Sequence, residues 1–272
     1  MERIRRISQT FFTFLYNPYL YGFYLGTIYQ GRLKLLPCPG LNCHSCPAAI
    51  FVCPIGALQL FAAYGRFYVS FFVMGFLGII GAIGGRIVCG WACPFGFLQE
   101  LLYKIPAPKL SIPKIVEKLR YVVLIMLVFV IAYYTKEPWF CKIICPAGTI
   151  EAGIPLVLLN SDLYQMAGIL FVVKLSVLIL LLASMLFFKR PFCRTLCPLG
   201  ALYGLFNRIS FFRLEVDKEK CIHCGTCLHV CPVSYDISQD AVSSGRCIRC
   251  FKCQKNCPEG AIKIVARTQL TQ

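Results

Sequence analysis

Two copies of one cysteine run constrain this 272-residue chain more than any other feature: Cys221-x2-Cys224-x2-Cys227-x3-Cys231-Pro232 and Cys247-x2-Cys250-x2-Cys253-x3-Cys257-Pro258. At this spacing thiolates cage [4Fe–4S] clusters in pairs, the fourth cysteine of each run ligating the cluster of the other. The runs therefore predict one cluster on Cys221, Cys224, Cys227 and Cys257, and another on Cys247, Cys250, Cys253 and Cys231.

Upstream, the cysteines stand where hydrophobic segments end. The chain is 58% hydrophobic and only 15% charged, yet 28 basic residues outweigh 12 acidic ones. Basic loops that retain helix ends in a membrane, and anionic clusters needing compensation, account for that excess, so no nucleic-acid partner is expected. Four apolar segments read as spans of a bilayer core about 30 Å thick: Ile7–Gly31, broken at Asn17-Pro18, then Phe67–Gly85, Leu119–Thr135 and Leu163–Phe188. Lysines and arginines cluster after the second and fourth, so the positive-inside rule puts both termini in the cytoplasm of a multi-pass cell-membrane protein. The expected fold is an α-helical integral membrane protein of about four spans in two tandem repeats (1–214), followed by an α+β bacterial-type two-[4Fe–4S] ferredoxin domain (215–272).

The membrane half repeats a Cys-Pro-x-Gly element at Cys53, Cys93, Cys145 and Cys197, with a second cysteine four positions earlier in three copies: Cys89, Cys141 and Cys193. Those three copies recur every 52 residues, the mark of a duplicated unit. Proline suits a first helical turn, which leaves the preceding sulfur beside free N–H groups and the positive end of a helix. Pairing the two halves brings Cys89, Cys93, Cys193 and Cys197 together as ligands of one cluster at the inner membrane face. At the outer face Cys141 and Cys145 are expected to join two of Cys38, Cys43, Cys46 and Cys53, with Cys46 and Cys53 preferred and Cys43 next. A Cys38–Cys43 disulfide and a further centre using His44 remain open. So does zinc, which four thiolates also suit.

Other chemistry is sparse. The chain has three histidines, none within an expected span, which excludes bis-histidine haem, and no Cys-x-x-Cys-His occurs for covalent haem. Lys174, inside the fourth apolar segment, reads either as a packing or snorkelling lysine or as a counter-charge to a cluster or quinone. Arg86, Trp91 and Arg194 are candidates to tune the inner cluster.

Arg86-Ile-Val-Cys89-Gly-Trp-Ala-Cys93-Pro94, Arg190-Pro-Phe-Cys193-Arg-Thr-Leu-Cys197-Pro198-Leu-Gly200 and the double run resemble the NapH-type membrane polyferredoxin family, related to NosR and to the cytochrome oxidase accessory polyferredoxin. The resemblance spans roughly Phe67 to Ile264. It implies four spans, cytoplasmic termini, the eight tail cysteines and Cys89, Cys93, Cys193 and Cys197 as ligands, and a part in quinol oxidation. Cys38, Cys43, Cys46, Cys53, Cys141 and Cys145 are additions to that plan. The expected function is electron transfer between the ferredoxin domain and membrane-embedded clusters, continuing across the membrane. The chain would act as a subunit of an oxidoreductase rather than a stand-alone enzyme, the alternative being a quinol dehydrogenase or metal-reductase subunit. Its partners would be membrane lipid, a cytoplasmic redox protein, and a quinone or an outer-face redox protein.

Overall fold

Cysteine before proline dictates the local structure of the first 210 residues. Proline disfavours helical backbone in the residue ahead of it, while its own missing N–H costs nothing in a first turn. In a computed structural model, which describes residues 2–65, 67–165, 168–238 and 244–266, all four Cys-Pro elements obey this. Cys53, Cys93, Cys145 and Cys197 are extended N-caps of helices Pro54–Tyr64, Pro94–Leu102, Pro146–Gly148 and Pro198–Phe206. The cysteines four residues upstream sit in short helical turns: Cys89 in Ile87–Trp91, Cys141 in Phe140–Ile144 and Cys193 in Pro191–Thr195.

The tail is closed by a two-stranded antiparallel sheet, Phe212–Val216 against Ile262–Ala266, with Leu214 opposite Ile264. The first strand runs across the expected boundary at 214/215, beginning three residues before it at Phe212. Between the strands lie the helices Thr226–Val230 and Lys252–Lys255, each flanked by cysteines of the runs. One continuous hydrophobic core joins both parts, from Ile55 and Leu77 through Phe192 and Tyr203 to Leu214, Ile248 and Ile262.

The four-span, multi-pass architecture is corrected by the structure. Among the described residues one helix, Ile169–Phe187, is long and apolar enough to cross a membrane. The first expected span instead folds as helix Glu2–Tyr16, which buries Arg5 and Gln9 against protein and stops at Asn17-Pro18. The second forms helix Phe67–Gly84, whose described apolar stretch, Phe71–Gly84, falls short of the ~20 residues a span needs. The third is helical from Leu119 to Thr135 but widens to π-type turns over Leu124–Val130. Met166 and Ala167, within the expected fourth segment, lie outside the described residues. The multi-pass location with two cytoplasmic termini, and the division of cysteines between opposite faces, rested on four spans and fall with them.

The tail is locked onto the rest of the chain. A side-chain carbon on Gly90, between Cys89 and Trp91, would stand 2.6 Å from the Ile248 carbonyl oxygen and 3.7 Å from Cys250 Cβ, so only glycine permits this approach. Asn207 spans the junction. Its Oδ1 accepts from the Arg86 backbone N–H (2.9 Å), and its Nδ2 donates to the carbonyls of Ser244 (2.9 Å) and Cys247 (2.8 Å). Trp91 Nε1 donates to the Arg249 carbonyl (3.0 Å). Asn207→Ala takes this partner from the buried Arg86 N–H and from the Cys247 carbonyl, while the Ser244 carbonyl keeps the Cys247 N–H (3.3 Å), and is expected to cost about 2–3 kcal/mol. It should appear as a lowered melting temperature and faster proteolysis at the start of the tail; an unchanged melt would show that Asn207 does not hold the junction.

Candidate functional site

In the tail the two runs fold around two cavities. One is lined by Cys221, Cys224, Cys227 and Cys257. The other is lined by Cys227, Cys231, Cys247, Cys250 and Cys253. Backbone N–H groups point at sulfur there, from Tyr235 to Cys231 Sγ and from Arg249 to Cys247 Sγ, both at 3.4 Å. Burial pushes the Cys247 thiol up to about 12, and neighbouring Cys231 and Cys250 push it the same way. Cys224 is exposed, so the first cavity reaches the molecular surface.

Cys89, Cys93, Cys193 and Cys197 converge in the core, each about 5% exposed. Burial raises the Cys93 thiol to about 12, followed by the effects of Cys193 and Cys89. Cys197 is driven well above its ordinary value by burial and then by Cys193, Cys89 and Cys93. The Gly200 N–H reaches Cys197 Sγ at 3.3 Å, and Gln99 Nε2 donates to Cys193 Sγ at 2.8 Å. Two guanidiniums flank the group. Arg86 Nη2 donates to the Cys193 carbonyl (3.0 Å), and Arg190 Nη1 to the Cys89 carbonyl (2.6 Å).

A second group forms around Cys141 and Cys145. Burial, then Cys141, Cys43 and Cys53, raise the Cys145 thiol well above its usual value, and burial followed by Cys141 raises Cys53 to about 12. Cys43, whose N–H donates to Glu151 Oε2 at 2.6 Å, completes this foursome. The expected preference for Cys46 is not what the structure shows. Cys46 packs with Ala48 and Ala49 in a small cluster that Cys43 also touches, where burial and Glu151 raise it to about 11, opposed by Lys34. Cys38 lies between the two groups. Its thiol is raised by burial and then by Cys53, Glu151 and Cys93, and Gly40 beside it abuts the Ala92 carbonyl and Cys93 Cα. All eighteen cysteines are free thiols, so Cys38 and Cys43 form no disulfide in the structure.

The donor set and its surroundings suit anionic clusters. Among the described residues, six arginines but only two glutamates are buried: Arg5, Arg86, Arg120, Arg190, Arg194 and Arg249 against Glu100 and Glu117. Buried nitrogens of Arg5, Arg86, Arg120, Arg190 and Arg249 have no hydrogen-bond partner. Glu100 and Glu117 offset only part of this buried positive charge, and thiolate-ligated iron–sulfur charge is what would balance the rest. Among the described residues no three His, Cys, Asp or Glu side chains converge tightly enough for a single ion; a cubane holds its four thiolates further apart, at the corners of its core.

Two of the three proposed tuning residues act elsewhere. Trp91 serves the tail junction, and Arg194 pairs with Glu117 (2.5 Å). Arg86 does flank the first group. Sequence reasoning missed Arg190, Gln99 and Gln59, although the signals were there: arginine stands three residues before Cys89 and before Cys193, and glutamine six after Cys53 and after Cys93. Lys174 reaches the second group, not open lipid: a carbon on Gly148 would lie 3.6 Å from its Nζ and 3.7 Å from Cys145 Sγ.

Comparison with known proteins agrees with this chemistry. A family model described as a 4Fe-4S binding domain matches residues 66–113, 121–154 and 169–216, and one described as a 4Fe-4S dicluster domain matches 213–263. The chain is 31% identical to Uncharacterized protein MJ0750 of Methanocaldococcus jannaschii, over 96% of this chain and 94% of that one. It is 29% identical to the putative electron transport protein YccM of Escherichia coli (66% of this chain, 51% of YccM) and 26% identical to the ferredoxin-type protein NapH of the same organism (68% and 63%). No solved structure matches it.

Glu100 carries the only carboxylate beside the first cysteine group's arginines among the described residues, pairing with Arg5 and, at 2.6 Å, with Arg190. Burial pushes its carboxyl up, but Arg190 and Arg5 outweigh this and hold it down at about 2 against an ordinary 4.5. Its contribution to stability is therefore complete above pH 4.5 and is lost as pH falls toward 2. Glu100→Gln strands two buried cations and should cost about 3–5 kcal/mol at neutral pH, measured by thermal unfolding; a variant as stable as the parent would show that other groups neutralise Arg5 and Arg190.

Proposed function

We propose that this chain, which belongs to the ferredoxin-type family of iron–sulfur electron-transfer proteins, is the relay subunit of a larger redox assembly, holding clusters in line from its tail into its core. The two tail cavities would be occupied through Cys221, Cys224, Cys227 and Cys257, and through Cys231, Cys247, Cys250 and Cys253. Cys89, Cys93, Cys193 and Cys197 would hold a third cluster. A bound [4Fe–4S] cluster supplies one-electron exchange without bond chemistry.

The rest is the work of this chain's own residues. Two thiols at helix starts and two in short helical turns are offered from fixed backbone. The core excludes water, with every cysteine of the third site about 5% exposed. Gln99 and the Gly200 N–H direct donors at sulfur, which favours the more negative, reduced state. Arg86 and Arg190 balance the charge.

One observation carries the relay reading: the near-contact of Gly90 with Cys250. It sets a ligand of the second tail site directly against the turn that bears Cys89, with no solvent or other element between them. The exposed Cys224 marks the opposite end as the port for a protein redox partner.

Iron and sulfide analysis with EPR on anaerobically purified protein tests this. Cys89→Ala/Cys193→Ala should lose about four irons per chain while both tail signals persist. The tail signals, broadened in the parent by a neighbouring spin, should sharpen. Unchanged iron would eliminate the third site, and unchanged line shapes would eliminate the relay.

A further inference from the structure

The second cysteine group repeats the first in details that a chance collection of thiols would not share. Cys53 and Cys93 are matching N-caps, as are Cys145 and Cys197. Six residues into each first helix stands a fully buried glutamine whose Nε2 donates to the opposing cysteine: Gln99 to Cys193 Sγ at 2.8 Å, and Gln59 to Cys141 Sγ at 3.1 Å. Gln59 is fixed further, because its Oε1 accepts from the Phe140 N–H (3.1 Å) at the head of the turn that carries Cys141. The Gly148 N–H reaches Cys145 Sγ (3.4 Å) as the Gly200 N–H reaches Cys197 Sγ (3.3 Å).

The glycine of each Cys-Pro-x-Gly element adds a third correspondence. A carbon built on Gly96 would lie 3.2 Å from Arg190 Nη1, and one on Gly200 2.9 Å from Arg86 Nη2. In the second group the same positions meet Lys174 Nζ (3.6 Å from Gly148) and His44 Nδ1 (2.9 Å from Gly56). Each glycine thus leaves room for a basic side chain beside the thiols. Only the fourth ligand differs. Ala49 occupies the place corresponding to Cys89, and Cys43 comes from the preceding loop, tied to Glu151 through its N–H.

We infer that Cys43, Cys53, Cys141 and Cys145 bind a further [4Fe–4S] cluster, with Gln59 donating to its sulfur shell and Lys174 as its counter-charge. This deepens the relay reading and rests on it: Cys38, whose N–H donates to the Val52 carbonyl (3.0 Å) next to Cys53, and Gly40, against Cys93 Cα, join this site to the third one. Lys174 is a positioning residue here, since it acts on the cluster through charge and not as a ligand.

The test uses the full-length chain, purified without oxygen, with iron counts, EPR and redox titration as readouts. Cys43→Ala and Cys141→Ala/Cys145→Ala should each lose about four irons per chain and one EPR signal, the tail and third-site signals remaining as internal proof of folding. Cys46→Ala should keep its full iron. Retention of iron in Cys43→Ala, or an equal loss in Cys46→Ala, overturns the ligand set. Should the double variant fail to fold, Lys174→Met decides: the reduction midpoint of one signal alone falls, and Lys174→Arg leaves it near the parent value. A shift in every signal, or in none, overturns the assignment. Failure of the relay reading is separable, because it would appear in the Cys89 and Cys193 variants while these results stood.

Discussion

Placing sulfur-bound iron charge inside an apolar core is the constraint around which this chain is organised. Such charge is stable there only if donors and cations are buried with it. The sequence meets that demand with arginines that a soluble core would reject, and with one buried glutamine in each of two mainly apolar helices. Arg86 and Arg190 do double duty: each binds a backbone carbonyl of the opposite half's cysteine turn, and so each pins the two halves together where it balances charge. On the proposed cluster sites, loss of the clusters would leave the buried arginines in excess over Glu100 and Glu117, so holding the cofactor and holding the fold become one requirement.

Much of this was legible in the residues. Cysteine spacing anticipates which thiols line each tail cavity, Cys257 with the first run's three and Cys231 with the second's, and the Cys-Pro elements announce helix starts through proline's missing N–H. The repeat interval identifies duplicated halves. What spacing does not carry is which loop cysteine completes the second group. Cys46 stands nearer than Cys43 to the helix start at Cys53, and both touch the small cluster around Ala48 and Ala49, yet it is Cys43 that acts on the Cys145 thiol. Proximity along a chain is a poor guide across a loop whose direction is set by tertiary contacts.

Hydropathy misled for a related reason. Windows of apolar residues look like spans whether they face lipid or protein. Arg5 and Gln9 sit within two residues of the first such window and are buried against the turn that holds Cys89; Leu124–Val130 departs from α geometry where it packs on the Cys-Pro helices. Ile169–Phe187 behaves otherwise. It buries only Leu178 and Met185 and leaves Ile169, Leu180 and their neighbours uncovered.

The interlock at Gly90, Asn207 and Trp91 bears on how such a protein is matured. With the loop around Ile248 seated against Gly90, Cys89, Cys93, Cys193 and Cys197 are each left only about 5% exposed. On the proposed ligand set, insertion of the third cluster is expected to come before the C-terminal segment closes over it. Biogenesis would then proceed from the inside outward, with the last-made part of the polypeptide sealing what was loaded first.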